Sequence, residues 1–348
     1  MLSKLLKSTL IIASLLITNL VASQIENPIE LPVSSPKAVI HQQIGVTDIS
    51  ISYNRPQVKG REIFGKLIPF GKVWRTGADQ NTVLTFTTDV QINGTEVKAG
   101  AYGLHTIPNK DRWIVILNKE TKAWGSYFYN KEKDVLRFEV PTATTAMKEA
   151  MTFAFTEISK NSTTISLNWE KTSIAFEITM NSEELVQQHI KSQLNSLPWF
   201  GWTGLHNAAA YNLKNNVYLD DALVWINRSI RNNRNYNNLT LKAKILEKQG
   251  KESAAESMHN QALKIATPLE LQRAAYSKFN TNQPKEGIDL LKNTIKNAPN
   301  NYQSYLAMAW GYEQIKDDKS AVKMYKKALK IAPTDTKEHI EKAMVKLQ

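Results

Sequence analysis

The sequence predicts a multidomain α and β protein, with an antiparallel β-sandwich or barrel followed by an all-α solenoid of paired helices. Three observations predict it. Apolar and polar residues alternate across residues 38–180, and an Asn-Gly pair stands between two short alternating runs. Beyond residue 205 a pattern of small residues recurs about every 33 positions.

The N-terminus reads as a secretory signal, residues 1–23. Lys4 and Lys7 supply the basic start, and Leu10 to Val21 is an apolar run. Small Ala22 and Ser23 precede Gln24, which suits cleavage there. The alternative is an uncleaved anchor, but the run is short against the roughly 20 residues a spanning helix needs. No other segment is apolar enough to span. The expected mature protein is therefore exported, periplasmic or secreted, and not an integral membrane protein. Its lack of cysteine removes disulfides, thiol nucleophiles, thiolate metal sites and a lipid anchor at the cleavage point. Stability must then come from hydrophobic cores, of which a chain this long can build two.

The all-β domain is placed at 24–181. Ile49, Ile51 and Tyr53 interleave with Ser50 and Ser52, and Ile165, Leu167 and Trp169 with Ser166 and Asn168. About ten short strands are expected, and Asn93-Gly94 should turn a hairpin because both residues tolerate positive φ. Residues 182–204 read as a helix and linker, with Ser182 as N-cap and Pro198 as stop. The segment Ser196 to Gly204, SLPWFGWTG, reads either as an interdomain hinge or as a buried staple at a helix start.

Residues 205–348 carry the repeat. In its clearest copy Tyr305, Met308, Ala309 and Tyr312 share one helix, Ala321, Tyr325 and Ala328 share the next, and Pro333 ends it. This arrangement resembles the tetratricopeptide repeat (TPR). Ala275, Gly287 and Leu291 fall at matching offsets one copy upstream. Ala243, Gly250, Ala255 and Ala262 supply another, and Ala209, Ala210 and Ala222 supply a weaker first copy, making four units.

Net charge is +12, or +10 without Lys4 and Lys7, and it is uneven. Residues 24–181 carry 18 Lys and Arg against 16 Asp and Glu, whereas residues 182–348 carry 24 against 16. In an exported protein that basicity points to anionic envelope components or acidic partners rather than nucleic acid.

Chemistry is sparse. Gly60 to Lys66 has phosphate-loop spacing, but Leu67 stands where Ser or Thr must hold Mg²⁺. The six histidines show no zinc-ligand spacing, and no Gly-x-Ser-x-Gly elbow or cofactor motif occurs. What remains is the long basic segment Tyr53 to Ala78. Arg55, Lys59, Arg61 and Arg75 suit carboxylate or phosphate groups, while Trp74, Trp113 and Trp124 offer flat faces for a sugar ring or guanidinium. The other reading has Arg55, Arg61 and Arg75 tying the loop down through carbonyls and carboxylates, as long ordered loops require. Candidate acid/base residues are His105 and Asp79, with Arg75 to stabilise negative charge.

The segments SPKAVIHQQIGVTDISISYNRP, VKGREIFGKLIPFGKVWRTGA, AGAYGLHTIP and WGSYFYNKEKDVLRFEV resemble the domain-of-unknown-function family 2911 over about residues 34–157. The resemblance implies an exported bacterial domain, often joined to helical repeats, and no established activity. Its motif falls on Arg55, Pro56, Lys59, Gly60, Arg61, Phe64, Gly65, Trp74, Arg75, Thr76, Gly77 and Trp124; Asp79-Gln80 stands where many relatives have Asn-Glu. The expected function is an exported binding scaffold, with a protein or peptide partner on the repeats and an anionic or glycan ligand on the β-domain. The competing expectations are an envelope hydrolase acting on glycan or peptide, and a purely structural adaptor.

Overall fold

A computed structural model describes residues 32–347, so the expected signal at 1–23 lies outside the described residues. The chain forms two compact units that divide between Val186 and Gln187.

The first unit is an antiparallel sheet of nine strands among the described residues. They are β1 (Lys37–Ile44), β2 (Thr47–Asn54), β3 (Thr82–Phe86), β4 (Val90–Ile92), β5 (Thr95–Val97), β6 (Gly100–Ile107), β7 (Arg112–Asn118), β8 (Asp134–Thr156) and β9 (Ser162–Thr179). The order is β1-β2-β3-β6-β7-β8-β9-β4-β5. Strong period-2 alternation sends Ile49, Ile51 and Tyr53 of β2 to the same core as Ile165, Leu167 and Trp169 of β9. The sheet wraps one core because β8 changes partners along its length. Residues up to Pro141 pair with β7, and Thr142 onward pairs with β9 through two register shifts around Lys148. This differs from the expected run of about ten short strands, since β8 has 23 residues and β9 has 18. The Asn93-Gly94 hairpin forms as expected, with φ of 50° and 75° joining β4 to β5.

The second unit begins within helix α1 (Ser182–Leu194). Glu184 N–H is capped by the Asn181 side chain, not by Ser182, whose hydroxyl instead donates to the Lys160 carbonyl. Four helix pairs follow: α2 (Thr203–Asn215) with α3 (Leu219–Asn232), α4 (Tyr236–Lys248) with α5 (Glu252–Ile265), α6 (Pro268–Asn280) with α7 (Pro284–Asn297), and α8 (Tyr302–Gln314) with α9 (Asp318–Ile331). Helix α10 (Thr334–Val345) closes the row. First helices start 32 to 34 residues apart, the repeat length read from sequence. Small residues let the helices approach. A Cβ on Gly287 would stand 2.3 Å from the Phe279 ring and 2.9 Å from the Ala275 carbonyl oxygen. The segment after α1 is a staple on the first repeat. Asn232 donates to the Trp199 and Gly201 carbonyls, and the Arg228 guanidinium stacks over Trp199 at 5.1 Å. No helix among the described residues is long and apolar enough to cross a membrane.

Candidate functional site

Residues 55–81, between β2 and β3, contain no regular strand, yet they are fixed to the sheet. Val58 N–H donates to the Glu149 carbonyl and Met151 N–H to that of Pro56. Trp74 and Thr106 exchange both backbone bonds, at 2.7 and 2.9 Å. Val58, Ile63 and Trp74 enter the core. Apolar burial thus supplies the anchors and sheet-like pairing satisfies the backbone, which is how so long a loop stays ordered.

The structure separates the candidate residues into different roles. Arg55 is structural: its Nε donates to the Met151 carbonyl and its Nη2 to the Thr152 hydroxyl, both at 2.9 Å. Arg61 turns back on its own loop, donating to the Val58 and Gln57 carbonyls at 3.0 and 2.6 Å. Lys59 is bonded through its backbone N–H to Glu149 Oε1, and its ammonium has no partner among the described residues. Trp74 corrects the platform expectation. It is 5% exposed, donates Nε1–H to the Gly77 carbonyl, and stacks on Trp169 at 5.8 Å. Trp113, 1% exposed, is likewise core. Water-exposed faces for a ligand ring must come from elsewhere.

Trp124 does present such a face, at 56% exposed, and Tyr127 lies parallel to it within 8° with ring centres 6.0 Å apart. A short pairing of Gln80 with Trp124 and a bond from Gly125 N–H to the Asp79 carbonyl hold this turn beside the basic loop. Arg75 lies between, its guanidinium carbon 5.9 Å from the Trp124 ring centre. Its Nε is buried without a hydrogen-bond partner. Burial pulls the Arg75 guanidinium below its usual pKa, and the charge of Asp79, then of Tyr127, opposes that pull. It stays cationic regardless.

A cleft of about 370 Å³ opens here, lined by Lys59, Arg61, Arg75, Trp74 and Trp169 and by no carboxylate. A second, of about 300 Å³, shares Arg75 with it and reaches Tyr127. Sequence reasoning missed Trp169 and Tyr127 as lining residues. The cluster Tyr127-Phe128-Tyr129 after Gly125 was the available signal for Tyr127; nothing in β9 marks Trp169 apart from other core residues.

The proposed acid/base pair is not assembled. His105 is 1% exposed, packs edge-on against Tyr129 at 5.2 Å, and has an unpartnered Nδ1. Burial pushes its pKa down to about 4, against a smaller raising effect of Asp134. No hydrogen bond or ion pair joins it to Asp79 among the described residues, and neither residue lines the two clefts. Asp79 sits at φ 55° beside Arg75.

Fold and cleft together define a class: an all-β domain bearing a cationic cleft, followed by a TPR-like helical solenoid. Residues 35–178 match the family described as "Protein of unknown function (DUF2911)", so the β-domain is the part of the chain that carries the family likeness. Among solved structures, the C-terminal part of a TPR repeat-containing protein from Cytophaga hutchinsonii is similar at 16% identity and TM-score 0.30. The match covers 42% of this chain and 58% of that one, so this chain spans little more than half of that relative. YrrB, described as a TPR protein with an unusual peptide-binding site, is 15% identical over 47% of this chain and 84% of its own, with TM-score 0.28. MamA is 15% identical over 44% and 83%, with TM-score 0.29. No curated protein matches the chain.

Proposed function

We propose that the protein is an exported binding scaffold whose solenoid holds an extended protein or peptide segment, while the β-domain offers a second surface to an anionic or glycan ligand. One observation carries the solenoid reading. A groove of about 660 Å³ runs over the first helices of successive repeats, touching His206 on α2, Asn237 and Lys244 on α4, and Arg273 and Ser277 on α6. Stacked repeats build extended concave surfaces of this kind. Amide, hydroxyl and charged side chains of both signs, with Glu247 and Glu270 beside Lys244 and Arg273, can bond a peptide backbone and its polar groups along one groove.

To test it, peptides selected from a random library against the mature protein are titrated into wild type and into Asn237→Ala and Arg273→Ala variants. At least tenfold weaker binding by the variants is expected. Peptides that bind both variants as tightly as wild type would place recognition off the groove. Export is tested by N-terminal sequencing of the fractionated protein. A start at Gln24 supports it, and a cytoplasmic chain retaining Met1 contradicts it.

A further inference from the structure

We propose that the cleft over Trp169 is an oxyanion subsite and the Trp124–Tyr127 shelf beside it a ring platform, so that the β-domain takes an acidic saccharide, a pyranose bearing a carboxylate or phosphate. This rests on the reading of the β-domain as a ligand surface and is independent of the peptide groove.

The cleft carries three cationic residues and no acid. Two of its lining residues hold buried N–H donors with no acceptor, Arg75 Nε and Trp169 Nε1, and Trp169 is only 1% exposed. An unpaired buried donor costs on the order of 1–3 kcal/mol. Both orphans are donors, so the complementary ligand group is an acceptor, and a charged oxygen makes the stronger bond. Arg61 has already spent two of its N–H groups on carbonyls, which leaves Arg75 as the arginine available to the anion.

Arg75 also reaches the shelf, since it lines both clefts and lies against Trp124. Trp124 and Tyr127 stack on one another, and at 56% and 82% exposed they leave an outer apolar ring face open to water as the shelf. The C–H face of a pyranose covers such a shelf while its acidic substituent turns toward Arg75. An inorganic anion uses the cleft and leaves the shelf bare.

The test is calorimetric titration of the mature protein, residues 24–348, with a glucuronic acid oligosaccharide, glucose 6-phosphate, a neutral glucose oligosaccharide and inorganic phosphate. The acidic sugars should bind at least tenfold more tightly than the neutral one. Arg75→Gln should weaken them at least tenfold, and Trp169→Phe, which keeps the ring and removes the N–H, several-fold. Tyr127→Ala should weaken the sugars and leave phosphate unchanged; circular dichroism checks that each variant is folded. Equal binding of neutral and acidic sugars overturns the oxyanion subsite. Phosphate binding as tightly as the sugars, with Tyr127→Ala indifferent, overturns the saccharide while the anion-binding reading survives. Binding of none of the four overturns both.

Discussion

Arg55 lies one residue beyond the end of β2, and its guanidinium ties that strand end to β8 through the Met151 carbonyl and the Thr152 hydroxyl. Removing it leaves two acceptors to find new donors, so Arg55→Ala should cost roughly 1–3 kcal/mol in urea denaturation. An unchanged midpoint would show these bonds to be idle. His105 gives a pH signature. Its pKa is depressed from 6.5 to about 4, so the unfolded chain takes up the proton first on acidification. Stability from the neutral imidazole is complete above about pH 6.5 and is lost as pH falls toward 4. The difference is on the order of 3 kcal/mol. A His105→Gln variant should show a flatter stability profile in that window; an identical slope would assign the effect to other groups. The residue types of this region were legible in the sequence, but their partners were not. Arg55 meets Met151 across 96 residues of chain, and no local pattern says which of three arginines will find a carbonyl.

Helix α7 carries Gly287 where its neighbour α6 brings Phe279 and the Ala275 carbonyl within contact. Alanine is favoured over glycine in a helix by up to about 1 kcal/mol, yet here its Cβ has no room. Gly287→Ala should therefore destabilise the solenoid by roughly 1–3 kcal/mol, read as a lower thermal midpoint. A higher midpoint would mean that α6 and α7 are not packed so closely. Periodic elements were the most legible part of the molecule, because burial imposes their period: the β2 alternation, the Asn93-Gly94 turn and the 33-residue helix pairs all appear. Strand lengths were not. The long β8 changes partner at Thr142, and its register shifts around Lys148 follow from closing the sheet on one core, a requirement no local stretch encodes.

The whole molecule joins two compact units of different architecture, a β-sheet and a helical solenoid. The β-unit was expected to be nearly neutral, and three of its cations, Lys59, Arg61 and Arg75, nevertheless meet at one acid-free cleft. The solenoid holds most of the net charge and a groove of mixed polarity. Binding at the cleft should weaken markedly between 50 and 500 mM salt, since partly exposed charges are screened within a Debye length of about 10 Å at 0.1 M. Salt-independent affinity would argue for apolar recognition. The site was half legible: the basic loop and Trp124 stood out, whereas Trp74 offered the same chemistry on paper and went to the core, because burial is decided by the whole sheet.

The most direct test of the two-surface account is a crossed titration of the one protein. A library-selected peptide and a glucuronic acid oligosaccharide are each measured against wild type, Arg75→Gln and Arg273→Ala. The account predicts that Arg75→Gln loses the saccharide and keeps the peptide, and that Arg273→Ala does the reverse. Both ligands retained by both variants, or both lost by one folded variant, would contradict it.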